Sequence, residues 1–278
     1  MFSRKWNFMV AVSVTAASLF SIRPAEASCG LHVCPIPVAV RPNQSAVSGA
    51  QAMPSQVWLE TRFATFDIGG NGNYLQTSLT GIFEHRLFRA GGLLPVIYLN
   101  APTGSTTGLG NSLLFGEVYV ISTAGTRLSL GSQLETPTGN HDKGLGADHF
   151  MAIPYVNFWQ TVDAWRFAVQ AGYQQTIGSH SHTATATPLY VNPHADSEVI
   201  SRAMLSYTYQ STWTGELNSS VRQVTAHDAV GDKTFVDAGV ALRAAFGSAL
   251  ALRAGVDVPL LSRQRYLLQT YIGCFYYF

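Results

Sequence analysis

The last residues of the chain, 266–278, constrain its fold more than any other segment, because polar and apolar positions alternate along them. This period of two predicts a β-strand with one apolar face. In a soluble sheet, a strand of this kind at the edge would be open to pairing with other chains. A closed barrel in a membrane has no edge and needs apolar residues outside, so the segment favours a transmembrane barrel. Ile272, Cys274, Tyr276 and Phe278 form the predicted lipid face, opposite Gln269, Tyr271, Gly273 and Tyr277.

The chain from Gln56 onward supports a barrel, because about twelve of its segments alternate in the same way. The pattern is clearest in Trp165–Ile177, where Trp165 and Phe167 would face lipid and Arg166 and Gln170 the lumen. Segments of this length suit a tilted crossing of the hydrocarbon layer. The predicted strands are Gln56–Phe66, 74–87, 93–100, Ser112–Ser122, 127–136, 149–160, Trp165–Ile177, 198–209, 213–223, Thr234–Phe246, 250–259 and 266–278.

The connections between these segments alternate in length. Short turns at 89–92, 124–126, 162–164, 210–212 and 247–249 interleave with long loops at 67–73, 101–111, 137–148, 178–197, 224–233 and 260–265. Outer-membrane barrels have short periplasmic turns and longer outer loops, so the sequence predicts an all-β, antiparallel up-and-down barrel with both termini in the periplasm. A secreted β-sandwich is the alternative, although its Greek-key connections have no reason to alternate.

The N-terminus predicts export. Basic residues at 3–5 precede an apolar stretch at 8–20 that is short for a membrane span, and Ala25-Glu-Ala27 offers a small-residue cleavage site. We predict a signal peptide at 1–27, with a membrane anchor helix as the alternative. Residues 28–55 are rich in Pro, Ala and Ser and predict a flexible periplasmic segment, followed by the barrel at 56–278.

Composition fits a membrane barrel better than a soluble enzyme. Charged residues make up 12% of the chain, whereas ordinary globular domains have roughly 25%. No apolar run after residue 27 is long enough for a membrane helix. The net charge of +1 gives no indication of a nucleic-acid partner. We therefore expect outer-membrane lipids around the protein, in a Gram-negative bacterium.

Two features resemble known outer-membrane proteins. The terminal strand resembles the C-terminal strand by which Gram-negative barrels are recognised for insertion. This resemblance implies that Tyr276 and Phe278 act as an assembly signal for the barrel-assembly machinery.

The second resemblance lies in the motif Leu130-Gly-Ser-Gln-Leu-Glu-Thr-Pro-Thr-Gly139, followed by Gly144-Leu-Gly146. Ala101-Pro-Thr-Gly104 with Gly108-Leu-Gly110 repeats it one long loop earlier. This pattern is similar to the porin-like outer-membrane transporters named after the phenol meta-cleavage pathway, some of which carry a short Cys-containing motif after the signal peptide. The resemblance implies a transporter.

Charged residues on the inward register are the candidates for function. They either form salt-bridged ladders that plug the lumen or line a narrow aqueous path and set its selectivity. The sequence leaves both open. The candidates are Glu60, Arg62, Glu84, Arg86, Glu117, Glu135, Arg166, Arg202, Glu216, Arg222, Arg243, Arg253 and Asp257.

Cysteine and histidine residues outside the strands are weaker candidates. An oxidising compartment favours a Cys29–Cys34 disulfide, and Cys29, His32 and Cys34 as a soft-metal site are the alternative. His180 and His182 form the one close histidine pair of the loops, but no spacing matches a known metal motif. No cofactor is predicted.

We therefore predict a narrow pore or transporter for small solutes, either metal ions or aromatic compounds. A lipid-modifying enzyme is one alternative, because Ser179 and His182 supply suitable residue types on one loop. No Gly-x-Ser-x-Gly motif supports it. A structural or adhesive barrel with a plugged lumen is the other alternative.

The cysteine prediction is tested by thiol labelling of protein taken directly from membranes. A disulfide predicts that Cys29 and Cys34 are unreactive until a reductant is added. A metal site predicts thiols that a chelator alone exposes. Labelling of Cys29 or Cys34, as distinct from Cys274, without reductant or chelator would contradict both interpretations.

Overall fold

Alternating side chains build a closed, all-β wall in the computed structural model, which describes residues 55–67, 71–123, 125–178, 195–225, 233–261 and 266–278. Neighbouring strands are antiparallel, and β1 pairs with both β2 and the last strand, β13, so the sheet closes. The strands are β1 Gln56–Phe66, β2 Gly72–Glu84, β3 Phe88–Ala101, β4 Gly104–Leu109, β5 Ser112–Ser122, β6 Thr126–Thr136, β7 Phe150–Val162, β8 Trp165–Ile177, β9 Ser197–Tyr209, β10 Trp213–Val224, β11 Thr234–Phe246, β12 Leu250–Leu261 and β13 Leu268–Tyr277.

These strands form a barrel of twelve positions, because β4 and β5 follow one another along β3. β5 pairs with the first half of β3 and β4 with the second half. Gly110 and Asn111 lie between them as a break, where the Gly110 N–H donates to the carbonyl of Pro95 at 3.0 Å. The predicted up-and-down barrel of about twelve strands is thus confirmed.

Two predicted connections were placed wrongly. Residues 89–92 were predicted as a turn, but they lie within β3, and the turn is at 85–87. This position of β3 is a glycine because a Cβ at Gly91 would lie 2.6 Å from the Phe115 ring on β5. Residues 101–111 were predicted as one loop, but 104–109 form β4. The glycines of these segments leave room for neighbouring side chains within strands. In the sequence alone, a glycine-rich segment looks like a loop.

The two ends of the barrel differ. The connections at 85–87, 123–125, 163–164, 210–212 and 247–249 lie at one end, together with residue 55 and Phe278. Most connections at the other end are longer, although β3 and β4 are joined there by residues 102–103 alone, and we call it the long-loop end. The described residues contain no helix that is long and apolar enough to cross a membrane.

The outer surface is apolar and carries aromatic residues near the short-turn end. Outward positions hold large side chains such as Leu79, Val118 and Leu217, each more than half exposed. Outer-membrane barrels have such a band, flanked by aromatic residues at the membrane interfaces. The exposed aromatic residues near the short turns are Phe83, Phe88, Trp165, Tyr207, Tyr209, Trp213, Phe246, Tyr276 and Phe278.

Replacing Tyr276 and Phe278 together by Asp is expected to lower the folded fraction. Both side chains are exposed at the end of β13, the strand that closes the barrel against β1, and their stacked ring centroids are 6.3 Å apart. The measurement is the heat-modifiable mobility of the protein from outer membranes. Thr212→Asp, in an exposed turn at the same end, is the control. Equal folding of both variants would contradict the prediction.

Candidate functional site

The candidate site is the inside of the barrel, where strand alternation buries polar side chains. Twelve of the thirteen predicted lumen residues face inward, on β1, β2, β5, β6 and β8–β12. Most are buried, including Glu60 at 5%, Glu135 at 1% and Glu216 at 3% exposure. The exception is Arg86. It was predicted to line the lumen but lies exposed in the turn at 85–87, because β2 ends at Glu84.

Four inward charged residues were missed by the sequence analysis: Arg89, Arg127, Glu198 and Asp237, which shares the register of Arg243 on β11. Arg89 was assigned to a turn that does not exist. Arg127 shares the register of Glu135 on β6, and Glu198 shares that of Arg202 on β9. Counting by twos from the predicted residues would have found these three.

One ion network extends across the inner faces of β1, β10, β11 and β12. Arg253 donates through Nε to Glu216 at 2.9 Å, and its Nη1 lies 3.6 Å from a Glu60 oxygen. Arg62 donates to Glu60 at 2.6 Å, while Arg243 lies 3.9 Å from Glu216. Positive and negative groups therefore alternate, and each carboxylate contacts two guanidinium groups, as burial of such charges requires.

A second set of charges lies near the short turns on the opposite side of the lumen. Arg127 is 2.7 Å from Glu84, which also accepts a hydrogen bond from the Tyr119 hydroxyl. The Arg127 guanidinium lies 5.0 Å from the centre of the Trp159 ring, and the Arg166 guanidinium lies 4.9 Å from it. Arginine stacking of this kind holds cations over aromatic faces without a carboxylate for each one. Arg89 and Glu117 form a further ion pair here at 3.0 Å.

Aromatic rings lie on the inner wall over glycines of neighbouring strands. A Cβ at Gly131 would lie 2.5 Å from the Tyr155 ring, and a Cβ at Gly255 would lie 2.5 Å from the Tyr271 ring. Because each glycine gives its neighbour room, the rings are accommodated close to the wall. The inner wall therefore displays ring surface as well as charge.

The loop between β6 and β7 folds into the long-loop mouth of the barrel. Its Leu145 is 1% exposed and belongs to an apolar cluster with inward residues of β1, β2 and β3 and with Tyr266. A Cβ at Gly108 would lie 2.8 Å from the Leu145 side chain. The cluster, here called the mouth cluster, consists of Ala64, Phe66, Tyr74, Ile97, Leu99, Ala101, Leu145 and Tyr266.

Asn111, at the break between β4 and β5, anchors this loop. Its amide nitrogen donates to Glu135 at 2.7 Å, and its oxygen accepts from the Gly139 N–H at 3.0 Å. The Thr138 hydroxyl donates to the Gly110 carbonyl at 2.9 Å. A Cβ at Gly146 would lie 2.1 Å from the Asn111 oxygen, so only glycine fits. The Pro-Thr-Gly and Gly-Leu-Gly motifs thus contact each other at the mouth.

The same loop carries a hydrogen-bonded His–Asp pair at its far end. His149 and Asp148 are 3.0 Å apart. The hydrogen bond from His149 lowers the pKa of Asp148, so this carboxylate stays charged at neutral pH at the entrance to the lumen.

The remaining predicted sites lie outside the described residues. They are the Cys29–Cys34 pair, the metal candidates Cys29, His32, Cys34, His180 and His182, and the loop serine Ser179. Among the described residues, no group of three His, Cys, Asp or Glu side chains is arranged to hold a metal ion. Cys274 is a free thiol on the outward face of β13.

Solved outer-membrane barrels share this fold. The COG4313 outer membrane channel from Pseudomonas putida F1 superposes with a TM-score of 0.63 at 14% identity, covering 86% of this chain and 100% of that one. The KdgM porin superposes with a TM-score of 0.51 at 12% identity, covering 80% of this chain and 99% of that one.

At these identities the likeness shows the fold alone. No protein-family model matches the chain, and no curated protein matches it significantly. The resemblance to the phenol meta-cleavage transporters is therefore supported only as far as the outer-membrane barrel fold.

Glu216→Ala is expected to lower the free energy of unfolding by about 3 kcal/mol, because it leaves Arg253 and Arg243 buried without their shared carboxylate. The measurement is urea unfolding of refolded protein. Arg166→Ala is the control, since none of the ion pairs found among the described residues includes Arg166, which hydrogen-bonds Thr161 at 3.2 Å. We expect a smaller loss for the control, and equal losses would contradict the network's role.

Proposed function

We propose that the protein is an outer-membrane channel for small organic solutes, with aromatic compounds favoured over metal ions. The observation that carries the proposal is the lumen, which combines paired charges with ring surface on Trp58, Tyr155 and Tyr271. Paired charges keep an aqueous path wet while limiting attraction to a free ion. Aromatic and aliphatic walls favour organic solutes.

In the proposed orientation the short turns and both termini are periplasmic and the long loops are extracellular. The short turns support this orientation, since short turns are periplasmic in outer-membrane barrels. Outer-membrane lipids and the barrel-assembly machinery are then the partners. The mouth cluster would lie at the outer entrance, where a solute must pass Leu145.

The loop at 137–149 makes the channel narrow in its resting state. Leu145 is held against β1, β2 and β3, and Asn111 holds the base of the loop. An apolar constriction of this kind blocks ions by excluding water. Movement of Leu145 out of the mouth cluster is the change that would open it.

The test is single-channel current and liposome swelling with the full-length protein. We expect a small conductance for the wild type and an increase of about twofold or more for each of two variants. Leu145→Ser makes the apolar constriction polar, and Asn111→Ala releases the loop that carries Leu145, so water enters the constriction in both. Asn100→Ala is the control, since Asn100 is an exposed residue that accepts from Ser105 at 3.0 Å. Swelling with a small aromatic alcohol is expected to exceed swelling with a sugar of similar mass.

A structural or adhesive barrel is the second candidate, favoured by the mouth cluster and by the salt-bridged lumen. It predicts no current and no swelling, with either the wild type or the two opened variants. That result would refute the channel proposal and support a structural or adhesive barrel.

A further inference from the structure

Arginines are concentrated at the short-turn end of the lumen. Among the described residues, five inward arginines lie within four residues of the short-turn ends of their strands, whereas two inward carboxylates do, Glu84 and Glu216. Two further glutamates contact this set from deeper in the barrel, Glu117 and Glu60. The five arginines are Arg89, Arg127, Arg166, Arg243 and Arg253.

Arg166 differs from the other four arginines, each of which contacts a glutamate. Arg166 makes no ion pair with a carboxylate in the part of the chain that the structure describes. Its Nε donates to the Thr161 hydroxyl at 3.2 Å, and its guanidinium lies 4.9 Å from the centre of the Trp159 ring. The face of a ring attracts a cation without neutralising it. The positive charge of Arg166 is therefore uncompensated.

The terminal nitrogens of Arg166 are open to the lumen. Neither makes a hydrogen bond with a described residue, since the bond to Thr161 uses Nε. Neither belongs to the side-chain atoms of the described residues that are enclosed without a partner. Both nitrogens therefore face space that water reaches, although the residue as a whole is 9% exposed.

The charges around Arg166 do not compensate it. Arg243 and Arg127 each repel it more strongly than Glu216 attracts it. Arg127 lies over the same Trp159 ring, 5.0 Å from its centre. A guanidinium buried among like charges is unfavourable unless a counter-charge is present. Three positive groups, one of them with accessible nitrogens, thus fit a small anion.

We propose that Arg166 binds a small monovalent anion, such as chloride, at the short-turn end of the lumen, and that Arg127 and Arg243 strengthen the attraction. The anion supplies the counter-charge that Arg166 lacks. Guanidinium groups donate strong hydrogen bonds to anions. The size of the ligand follows from the space, because the nitrogens face room that a water molecule reaches and a chloride ion is only a little larger.

The binding site needs only the lumen of the barrel, whereas its effect on transport rests on the proposed channel function. In a channel, fixed positive charges at a narrow point attract anions and repel cations. The site then makes the pore select anions over metal cations. Solutes that are neutral or negatively charged pass this end of the lumen more readily than cations do.

Chloride binding is measured by the line width of the chloride NMR signal with the full-length protein in a non-ionic detergent, against empty micelles. Arg166→Gln and Arg166→Met each remove the charge, so the test needs only one of them to fold. Arg166→Lys keeps the charge. Arg86→Gln is the matched control, because Arg86 is an exposed arginine in a turn at the same end. The heat-modifiable mobility of each variant checks its folding.

We expect a saturable excess line width for the wild type and for Arg86→Gln. The affinity falls about tenfold or more in Arg166→Gln and Arg166→Met, the effect of one hydrogen bond to a charged group. Arg166→Lys keeps most of the affinity, since an ammonium group also donates to an anion. No excess line width in the wild type, or a loss in Arg86→Gln or Arg166→Lys as large as in Arg166→Gln, would overturn the site. An affinity of Arg166→Gln equal to that of the wild type would do the same.

Reversal potentials in planar bilayers under a potassium chloride gradient separate the site from the channel. We expect the wild type to favour chloride over potassium about twofold to threefold more than Arg166→Gln does, the effect of one unit charge several ångströms away in water. Current with equal selectivity in both proteins, and no chloride binding, refutes the site and leaves the channel. Chloride binding that depends on Arg166, with no current in any variant, refutes the channel and leaves the site.

Discussion

Closure of the hydrogen-bond ladder between β1 and β13 is the constraint on which the rest of the structure depends. The two strands pair along 56–65 and 268–277 and so join the two ends of the sheet. In hydrocarbon, each unpaired backbone group costs several kcal/mol, so a spanning sheet has to close. Closure then divides every strand into a lipid face and a lumen face, which explains why apolar side chains are exposed and arginines are buried.

Because the apolar side chains lie on the outside of the barrel, the charged side chains are buried in the lumen. Its charges cannot reach bulk water freely, and they are instead satisfied by each other and by rings. Glu216 contacts Arg253 and Arg243 together, while Arg166 lies over the Trp159 ring and makes no ion pair with a carboxylate among the described residues. Both modes occur on each side of the lumen, since the second set of charges contains the Arg89–Glu117 and Arg127–Glu84 ion pairs, and the Arg253 guanidinium lies 4.7 Å from the centre of the Tyr271 ring.

Much of the fold could be predicted because a half-buried strand has a period of two. The limits of β1, β5, β8 and β11 follow directly from alternation, and the inward register identified residues such as Glu60 and Arg253. Glycine misled the prediction at Gly91, where the reason for the residue is a ring on another strand. Contacts across the lumen, including those that bring Leu145 into the mouth cluster, depend on how far the strands are staggered around the barrel, and no local pattern carries that information.

The glycine–aromatic pairs have a consequence for folding fidelity. In an antiparallel barrel, a strand displaced by two residues keeps its lipid face and its ladder, so hydrogen bonding and hydrophobicity alone barely distinguish the correct alignment. Tyr155 lies opposite Gly131 and Tyr271 opposite Gly255. After a two-residue slip Tyr155 would meet Ser129 or Gln133, and Tyr271 would meet Arg253 or Asp257, none of which leaves room for a ring. Each glycine–aromatic pair is therefore compatible with only one alignment of its two strands, and the inward glycines set the stagger of the finished barrel.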